Sequence, residues 1–184
     1  METVLESARR ILVAEGPGKF TLERVAKEAG ITKGALLYHF HDKDQLLTKL
    51  MEQYVERLRG RFEEGRRHAL EKHLTGEDET TAAFAEWYRR FRKEDIRESS
   101  LGLELLSMAT HNDAMLKKIN AWYGQVFGEL TGDPKKSAAL IAVLAIEGLF
   151  YLRHFRVDVL DDERIERVLR DAIELTRRGA KSGD

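Results

Sequence analysis

Thr21-Leu22-Glu23-Arg24-Val25-Ala26-Lys27-Glu28-Ala29-Gly30-Ile31-Thr32-Lys33-Gly34-Ala35-Leu36 is the stretch on which the fold turns. Leu22, Val25, Ala26 and Ala29 recur at helical spacing, and Thr21 is placed to cap the start of that helix with its side-chain oxygen. Ala26 is small where a neighbouring helix must press close. Gly30 can take the positive φ that a tight turn needs. Ile31 plugs the angle between two helices, and Leu36 anchors the second of them to a core. A small residue, a glycine and two apolar residues at offsets 0, +4, +5 and +10 suit two helices crossing steeply through a short turn. A plain helical hairpin satisfies the same four positions, so they leave two readings open.

Working outward, helical periodicity continues in both directions. Val4, Leu5, Ala8, Ile11 and Leu12 form one face of a first helix that stops at Gly16, and a third short helix falls near Lys33 to His39. Asp42 can cap a long fourth helix, with Gln45 three residues on. Its stripe runs Leu46, Leu47, Leu50, Met51, Tyr54, Val55, Leu58 and Phe62, then fades into Arg59 to Arg67, read as solvated. Gly76 marks a break. A fifth helix is expected from about Thr80 to Arg92 and a sixth from about Asp95 to Ala109. Asn112 or Asp113 caps a seventh, Pro134 suits the first position of an eighth that runs to about Phe155, and a ninth follows Asp161 or Asp162. No segment alternates like a half-buried strand. The reading is all-α: an N-terminal three-helix domain over residues 1–46, then a six-helix C-terminal domain over 47–184.

Composition narrows the function classes. The 184 residues are 42% hydrophobic and 34% charged, an ordinary balance for a globular chain. With no cysteine, disulfides, thiolate nucleophiles and thiolate zinc sites are excluded, which is compatible with a reducing cytoplasm. The longest apolar run, Ala138 to Ile146, ends at Glu147 and is short for a bilayer, so no membrane partner is expected. Met1-Glu2-Thr3-Val4 carries no basic lead into an apolar stretch, so no secretory signal is expected either. The net charge is -1, so a case for nucleic acid must rest on local geometry. The histidines at 39, 41, 68, 73, 111 and 154 pair with no carboxylates at a metal-binding helical spacing. No serine lies in a nucleophile elbow, and no phosphate-binding glycine loop occurs. The expectation is a protein with no catalytic residues, no metal and no cofactor, and not an enzyme.

Leu36-Leu37-Tyr38-His39-Phe40-His41-Asp42-Lys43-Asp44-Gln45-Leu46-Leu47 resembles the signature of TetR-family repressors: Leu-Tyr, one or two residues, Phe, a short polar pair, Lys, an acidic or polar residue and Leu. Ala26-Lys27-Glu28-Ala29-Gly30-Ile31-Thr32-Lys33-Gly34 is similar to that family too. The close likeness covers about Ile11 to Leu50. The remainder agrees in length and helix count only. The resemblance implies a helix-turn-helix that docks in the major groove of double-stranded DNA, and it implies roles residue by residue. Thr21 would contact a phosphate, and Thr32, Lys33 and Gly34 would open the recognition helix toward base edges and phosphates. Tyr38 would direct its hydroxyl at a phosphate, and Lys43 would hold the opposite phosphate wall. His39 and His41 could add charge below about pH 6.5; a packed or capping role for His39 competes with that. Leu37 departs from the family, which usually has Tyr there, and removes one expected hydroxyl-phosphate contact.

The resemblance further implies a homodimer through the last two helices, reading a palindromic operator. The eighth helix agrees, being apolar nearly all round from Ala138 to Leu152, with small residues for close approach. A central helix of a monomeric bundle would look alike. Phe84, Trp87, Tyr88, Phe91, Met108, Trp122, Tyr123, Phe127 and Phe150 could line an apolar pocket for a small hydrophobic effector; they could equally form a simple core. The function implied is a cytoplasmic transcriptional regulator, a repressor released from its operator by that effector. The rival is a helical ligand-binding or scaffolding dimer that has lost DNA binding, favoured by Leu37 and the near-neutral charge.

Overall fold

The computed structural model describes residues 2–72, 74, 77–93, 96–132, 136–157 and 159–181. Gly76, Asp95 and Pro134, expected at helix breaks and starts, lie outside them. Among the described residues there are nine α-helices and no strand: α1 (Glu2–Glu15), α2 (Leu22–Glu28), α3 (Lys33–His39), α4 (Lys43–Glu71), α5 (Glu77–Phe91), α6 (Ile96–Ala109), α7 (Asp113–Thr131), α8 (Ser137–His154) and α9 (Asp162–Lys181). A short 3-10 turn, Pro17–Lys19, follows α1 and was not anticipated from the sequence. The helices form two compact units. Residues 1–57 and 95–121 make the first; residues 58–94 and 122–184 make the second. The chain therefore passes from one unit to the other within α4, returns after α5, and passes again within α7.

The first unit packs α1 on α2 and α6, and α2 on α3. Its core is Ala8, Ile11, Leu12, Phe20, Val25, Ala26, Leu36, Phe40, Leu46 and Met51, all buried. The turn between α2 and α3 is built as the spacing predicts. Gly30 sits at φ +69°, in the left-handed region. Its N–H donates to the Lys27 carbonyl at 3.2 Å, and the Ile31 N–H donates to the Ala26 carbonyl at 3.0 Å. That pair of bonds is a Schellman motif, which ends α2 and satisfies its last carbonyls. Arg24 ties α2 to the end of α1, at 2.6 Å from Glu15 and 3.2 Å from Glu28. Asp42 caps α4 by accepting from the Gln45 N–H at 2.7 Å, and the Gln45 side chain accepts from the His41 N–H at 2.7 Å. The Gln45 amide thus serves the residue before the cap rather than the cap itself.

In the second unit α8 packs against α9 and α5, and α5 packs against α9. α4 approaches α5 closely at Gly65, where an added Cβ would fall 2.5 Å from the Ala83 carbonyl oxygen. The Arg59 to Arg67 stretch is therefore not wholly solvated: Phe62 and Gly65 are buried within it. Asn112 rather than Asp113 caps α7, accepting from the Met115 N–H at 3.0 Å, and Asp161 caps α9, accepting from the Arg164 N–H at 2.8 Å. Thr81 and Thr176 share a buried hydrogen bond of 3.0 Å. By length and composition alone α8 could cross a membrane, a point the apolar run up to Glu147 did not suggest. One face of it, with Ala139, Ala142, Val143, Ile146 and Leu149, is buried inside the unit. The other is not: Ile141 is 59% and Leu144 53% exposed, and Tyr151 and Phe155 continue that stripe.

Candidate functional site

The two threonines at the openings of α2 and α3 are caps. Thr21 Oγ1 accepts from the Arg24 N–H at 3.1 Å, and Thr32 Oγ1 accepts from the Ala35 N–H at 3.1 Å. Each hydroxyl uses a lone pair for this, which leaves its own proton to donate outward, and both residues are exposed. Gly34 follows at the second position of α3. An added Cβ there would meet Thr32 Oγ1 at 3.9 Å, an ordinary contact, so the fold itself does not demand glycine. Bare backbone at this point suits close approach by a partner molecule.

Lys33, at the first position of α3, is held by the Glu23 carboxylate of α2, and that contact draws the Glu23 carboxyl below its ordinary range. Both side chains are solvent-exposed, so the pair is weak and exchangeable. Tyr38 leaves 83% of its surface in solvent. Its ring meets His39 edge-on, with centroids 5.3 Å apart. His39 is exposed rather than packed. Leu37 is half-buried, so it contributes to the core side of α3. Lys43 opens α4 with its ammonium 5.5 Å from the centroid of the buried Phe20 ring. All seven residues expected at a DNA interface fall at the start of α2, on α3 and at the start of α4, within the first unit.

In the second unit the aromatic set forms a connected network. Phe150 contacts Trp87, Tyr88 and Phe91 at centroid distances of 4.8, 4.9 and 4.7 Å. Phe84 joins Trp87 at 5.7 Å and Phe127 at 6.3 Å, and Phe127 stacks on Tyr123 at 5.5 Å. Phe62, placed by the sequence on the α4 stripe, bridges Phe84 and Trp122 at 5.2 and 5.8 Å. Phe84, Trp87, Tyr88, Phe91 and Trp122 are buried, whereas Tyr123, Phe127 and Phe150 are partly open. Met108 belongs to the first unit and the other eight to the second. A cavity of about 270 Å³ is lined by Tyr88, Arg92, Leu149, Leu152, Arg153, Val157, Leu160, Asp162 and Ile165. A smaller one, about 100 Å³, is lined by Trp122 with Phe62, Arg59, Arg66 and others.

Two polar groups within this apolar region escaped the sequence reading. The Trp87 indole Nε1 and the Glu147 Oε1 are buried and have no hydrogen-bond partner among the described residues. Burial pushes the Glu147 carboxyl up to about 7, and the Tyr123 hydroxyl, which donates to Oε2 at 3.3 Å, opposes the shift. The available signal was a lone carboxylate inside the most apolar helix. Among the described residues no group of three or more His, Asp or Glu could hold a metal ion.

Comparison with known proteins bears on both units. Residues 4–50 match the family described as bacterial regulatory proteins, tetR family, and residues 78–177 match the tetracyclin repressor-like C-terminal domain. The chain is similar to the HTH-type transcriptional regulator SrpR of Pseudomonas putida, 32% identical over 50 residues, which are 27% of this chain and 24% of that protein. It is similar to the HTH-type transcriptional regulator AcrR of Shigella flexneri, 37% identical over 49 residues, 27% of this chain and 23% of that one. The chain thus matches about a quarter of the length of these curated relatives. Solved structures share the fold across nearly the whole chain. A transcriptional regulator of Streptomyces coelicolor A3(2) superposes with a TM-score of 0.72 at 22% identity, covering 95% of this chain and 96% of that one. The multidrug binding protein EbrR, in complex with imidazole, gives 0.70 at 20% identity, covering 95% and 93%.

Proposed function

This chain belongs to the TetR family of bacterial regulatory proteins, and from that premise we propose that it is a homodimeric, sequence-specific DNA-binding transcriptional regulator. In this reading it is a cytoplasmic repressor, not an enzyme, released from a palindromic operator by a small hydrophobic ligand. The observation that carries it is Tyr38: an aromatic side chain left 83% exposed on a short helix has no folding reason to be there. A hydroxyl aimed at a phosphate is a reason. Thr32, Lys33, Gly34 and His39 lie on or at the start of the same helix, Thr21 and Lys43 stand at the starts of α2 and α4, and together they supply donors of the kinds that phosphates and base edges accept. In the free protein Glu23 holds Lys33, so docking exchanges one exposed carboxylate for a phosphate.

The dimer is supported by the uncovered stripe of α8, Ile141, Leu144 and Tyr151, together with the exposed Leu175 of α9. Fully burying a large aliphatic side chain is worth about 1.5–3 kcal/mol, and two-fold symmetry places each such residue in the interface twice. Light scattering at micromolar concentration is expected to give twice the chain mass, and the Leu144→Glu variant is expected to give the monomer. A monomeric parent would end the dimer reading. For the effector, the partly open Tyr123, Phe127 and Phe150, backed by Phe84, Trp87, Tyr88, Phe91 and Trp122, offer an apolar lining with polar handles. EbrR, a likeness in fold, is described as a multidrug binding protein and was solved with ethidium and with malachite green. An effector acts by preferring a dimer state in which the two recognition helices are wrongly spaced for the operator. α4 is the natural lever, since its first part belongs to one unit and its second part to the other.

The decisive experiment is selection from random duplex DNA by the purified protein at about 0.15 M salt, where non-specific phosphate binding is weak enough to discriminate. An enriched inverted repeat is the expected result. A folded dimer that enriches no sequence would favour the ligand-binding or scaffolding alternative, with Leu37 the first residue to revert to Tyr.

A further inference from the structure

Glu147 lies only 8% exposed on α8, and its two carboxyl oxygens are poorly served. Oε2 accepts from the Tyr123 hydroxyl of α7 at 3.3 Å, longer than the range of about 2.5–3.0 Å usual for such a donor. Oε1 has no donor among the described residues. Burial and the Tyr123 hydroxyl set the acidity of this group. Among the described residues α5, α7 and α9 bring no charge to bear on it, and on α8 its own field reaches Tyr151, one turn on. The acid thus has no counter-charge among the described residues. Aromatic rings close around it. From Tyr123 the contacts run to Phe127 at 5.5 Å, from there to Phe84 at 6.3 Å, to Trp87 at 5.7 Å and to Phe150 at 4.8 Å. Phe150 stands one turn from Glu147, so the circuit returns to the helix it left. The Trp87 indole N–H in that circuit is buried and unpaired, and it does not serve Glu147 Oε1, since both are left over. Buried polar groups without partners cost the fold free energy, and a guest that supplies what they lack recovers it. Tyr123 touches the acid and is itself partly open, so the acid is one contact from solvent.

We propose that the effector is a lipophilic amine bound in its protonated form, whose N–H donates to Glu147 Oε1 while its apolar body lies against the rings of Phe127 and Phe150. The proposal rests on the effector-site reading given above and names the chemical class that the site takes. An ammonium suits the site better than an alcohol, because the acid lacks a cation and aromatic ring faces attract one as well. A protonated amine suits it better than a quaternary ammonium, which has no N–H to give to the unpaired oxygen. A carboxylate guest would face like charge. The ammonium pairs with the ionised acid, which burial holds protonated up to about 7. Below that value, complex formation therefore expels the Glu147 proton to solvent. The sign follows: affinity rises with pH up to about 7 and levels off above it.

The probe is phenylbutylamine, titrated into the full-length protein by calorimetry at pH 6 and pH 8, with phenylbutanol and phenylbutyltrimethylammonium as controls of the same shape. At pH 8 the amine is expected to bind at least about tenfold more tightly than the alcohol, with the quaternary ammonium weaker than the amine. The amine keeps its charge at both pH values, so a gain of about tenfold from pH 6 to pH 8 belongs to the acid. Titrations in buffers of different ionisation enthalpy should show close to one proton released per amine at pH 6 and few at pH 8. Glu147→Gln is expected to abolish the preference for amine over alcohol, the pH dependence and the proton release together. Folding does not explain that loss, because glutamine has no buried charge to desolvate and the variant should be at least as stable as the parent, which its urea midpoint checks. The alcohol or the quaternary ammonium binding as tightly as the amine, or Glu147→Gln leaving the pH dependence in place, overturns the proposal. An alcohol that binds equally well would still leave an apolar effector site standing, and DNA recognition is read separately by the duplex selection.

Discussion

Reversing Lys33 and Lys43 together to glutamate is expected to lower affinity for any duplex by roughly 100-fold or more at about 0.15 M salt, with the fold intact. Each charge-assisted contact to a phosphate is worth about 1.5 kcal/mol or more, and a two-fold dimer loses each contact twice and gains repulsion in its place. The slope of log affinity against log salt should flatten by about 0.9 for every phosphate contact removed. The two lysines are separable. Lys43→Ala should weaken operator and scrambled duplex alike, since a contact to the phosphate wall carries no sequence information. Lys33→Ala is expected to cost more on the operator, relaxing one position per half-site, because Lys33 opens the recognition helix. The structural cost of the substitutions is small. Lys33 gives up an exposed pair with Glu23, and Lys43 gives up a contact with the Phe20 ring worth about 0.5–1 kcal/mol at such a site. Parallel binding curves on operator and scrambled duplex, with circular dichroism to confirm the helices, decide the matter. Affinity within a few-fold of the parent would remove both lysines from the interface.

Glu147→Gln is expected to stabilise the protein at pH 8 and to leave it nearly unchanged at pH 5. Burial raises the Glu147 carboxyl from its ordinary 4.5 to about 7. The folded state therefore holds a proton that the unfolded state has lost between those two values. Stability contributed by this group is fully present below the unfolded pKa and falls as pH rises toward 7, beyond which it is gone. A displacement of that size corresponds to a penalty on the order of 3 kcal/mol for the ionised side chain at pH 8. Glutamine keeps an acceptor for the Tyr123 hydroxyl and carries no charge to desolvate. Urea unfolding at pH 5 and pH 8, with protomer concentration held constant because association shifts apparent stability, reads the difference directly. Equal stability gains at both pH values would show that the carboxyl is hydrated in solution.

The part of the molecule nearest the proposed DNA contacts was legible because its geometry is local. The positive φ at Gly30, the caps at Thr21 and Thr32 and the anchor at Leu36 involve residues within a few positions of one another. Steric and hydrogen-bond rules act over that range without help from the rest of the chain. His39 illustrates the edge of that legibility. Its type was readable, but whether it packs or faces water depended on how α3 lies on its neighbours, and it faces water.

Sequence alone thus determined an all-helical chain, the α2–α3 turn, the apolar character of α8 and a list of aromatic residues without their roles. The tertiary structure decided which of those aromatics enclose one another. It also decided that α8 buries one face and leaves Ile141 and Leu144 outside, and that Glu147 lies inside. It alone placed Arg92 beside Asp162, 70 positions away, and so created the cavity of Tyr88 and Arg153. The reason is physical: a 3.6-residue period names the apolar side of a helix but not the helix it will meet. Desolvation, ion pairing and cavity shape are properties of that meeting.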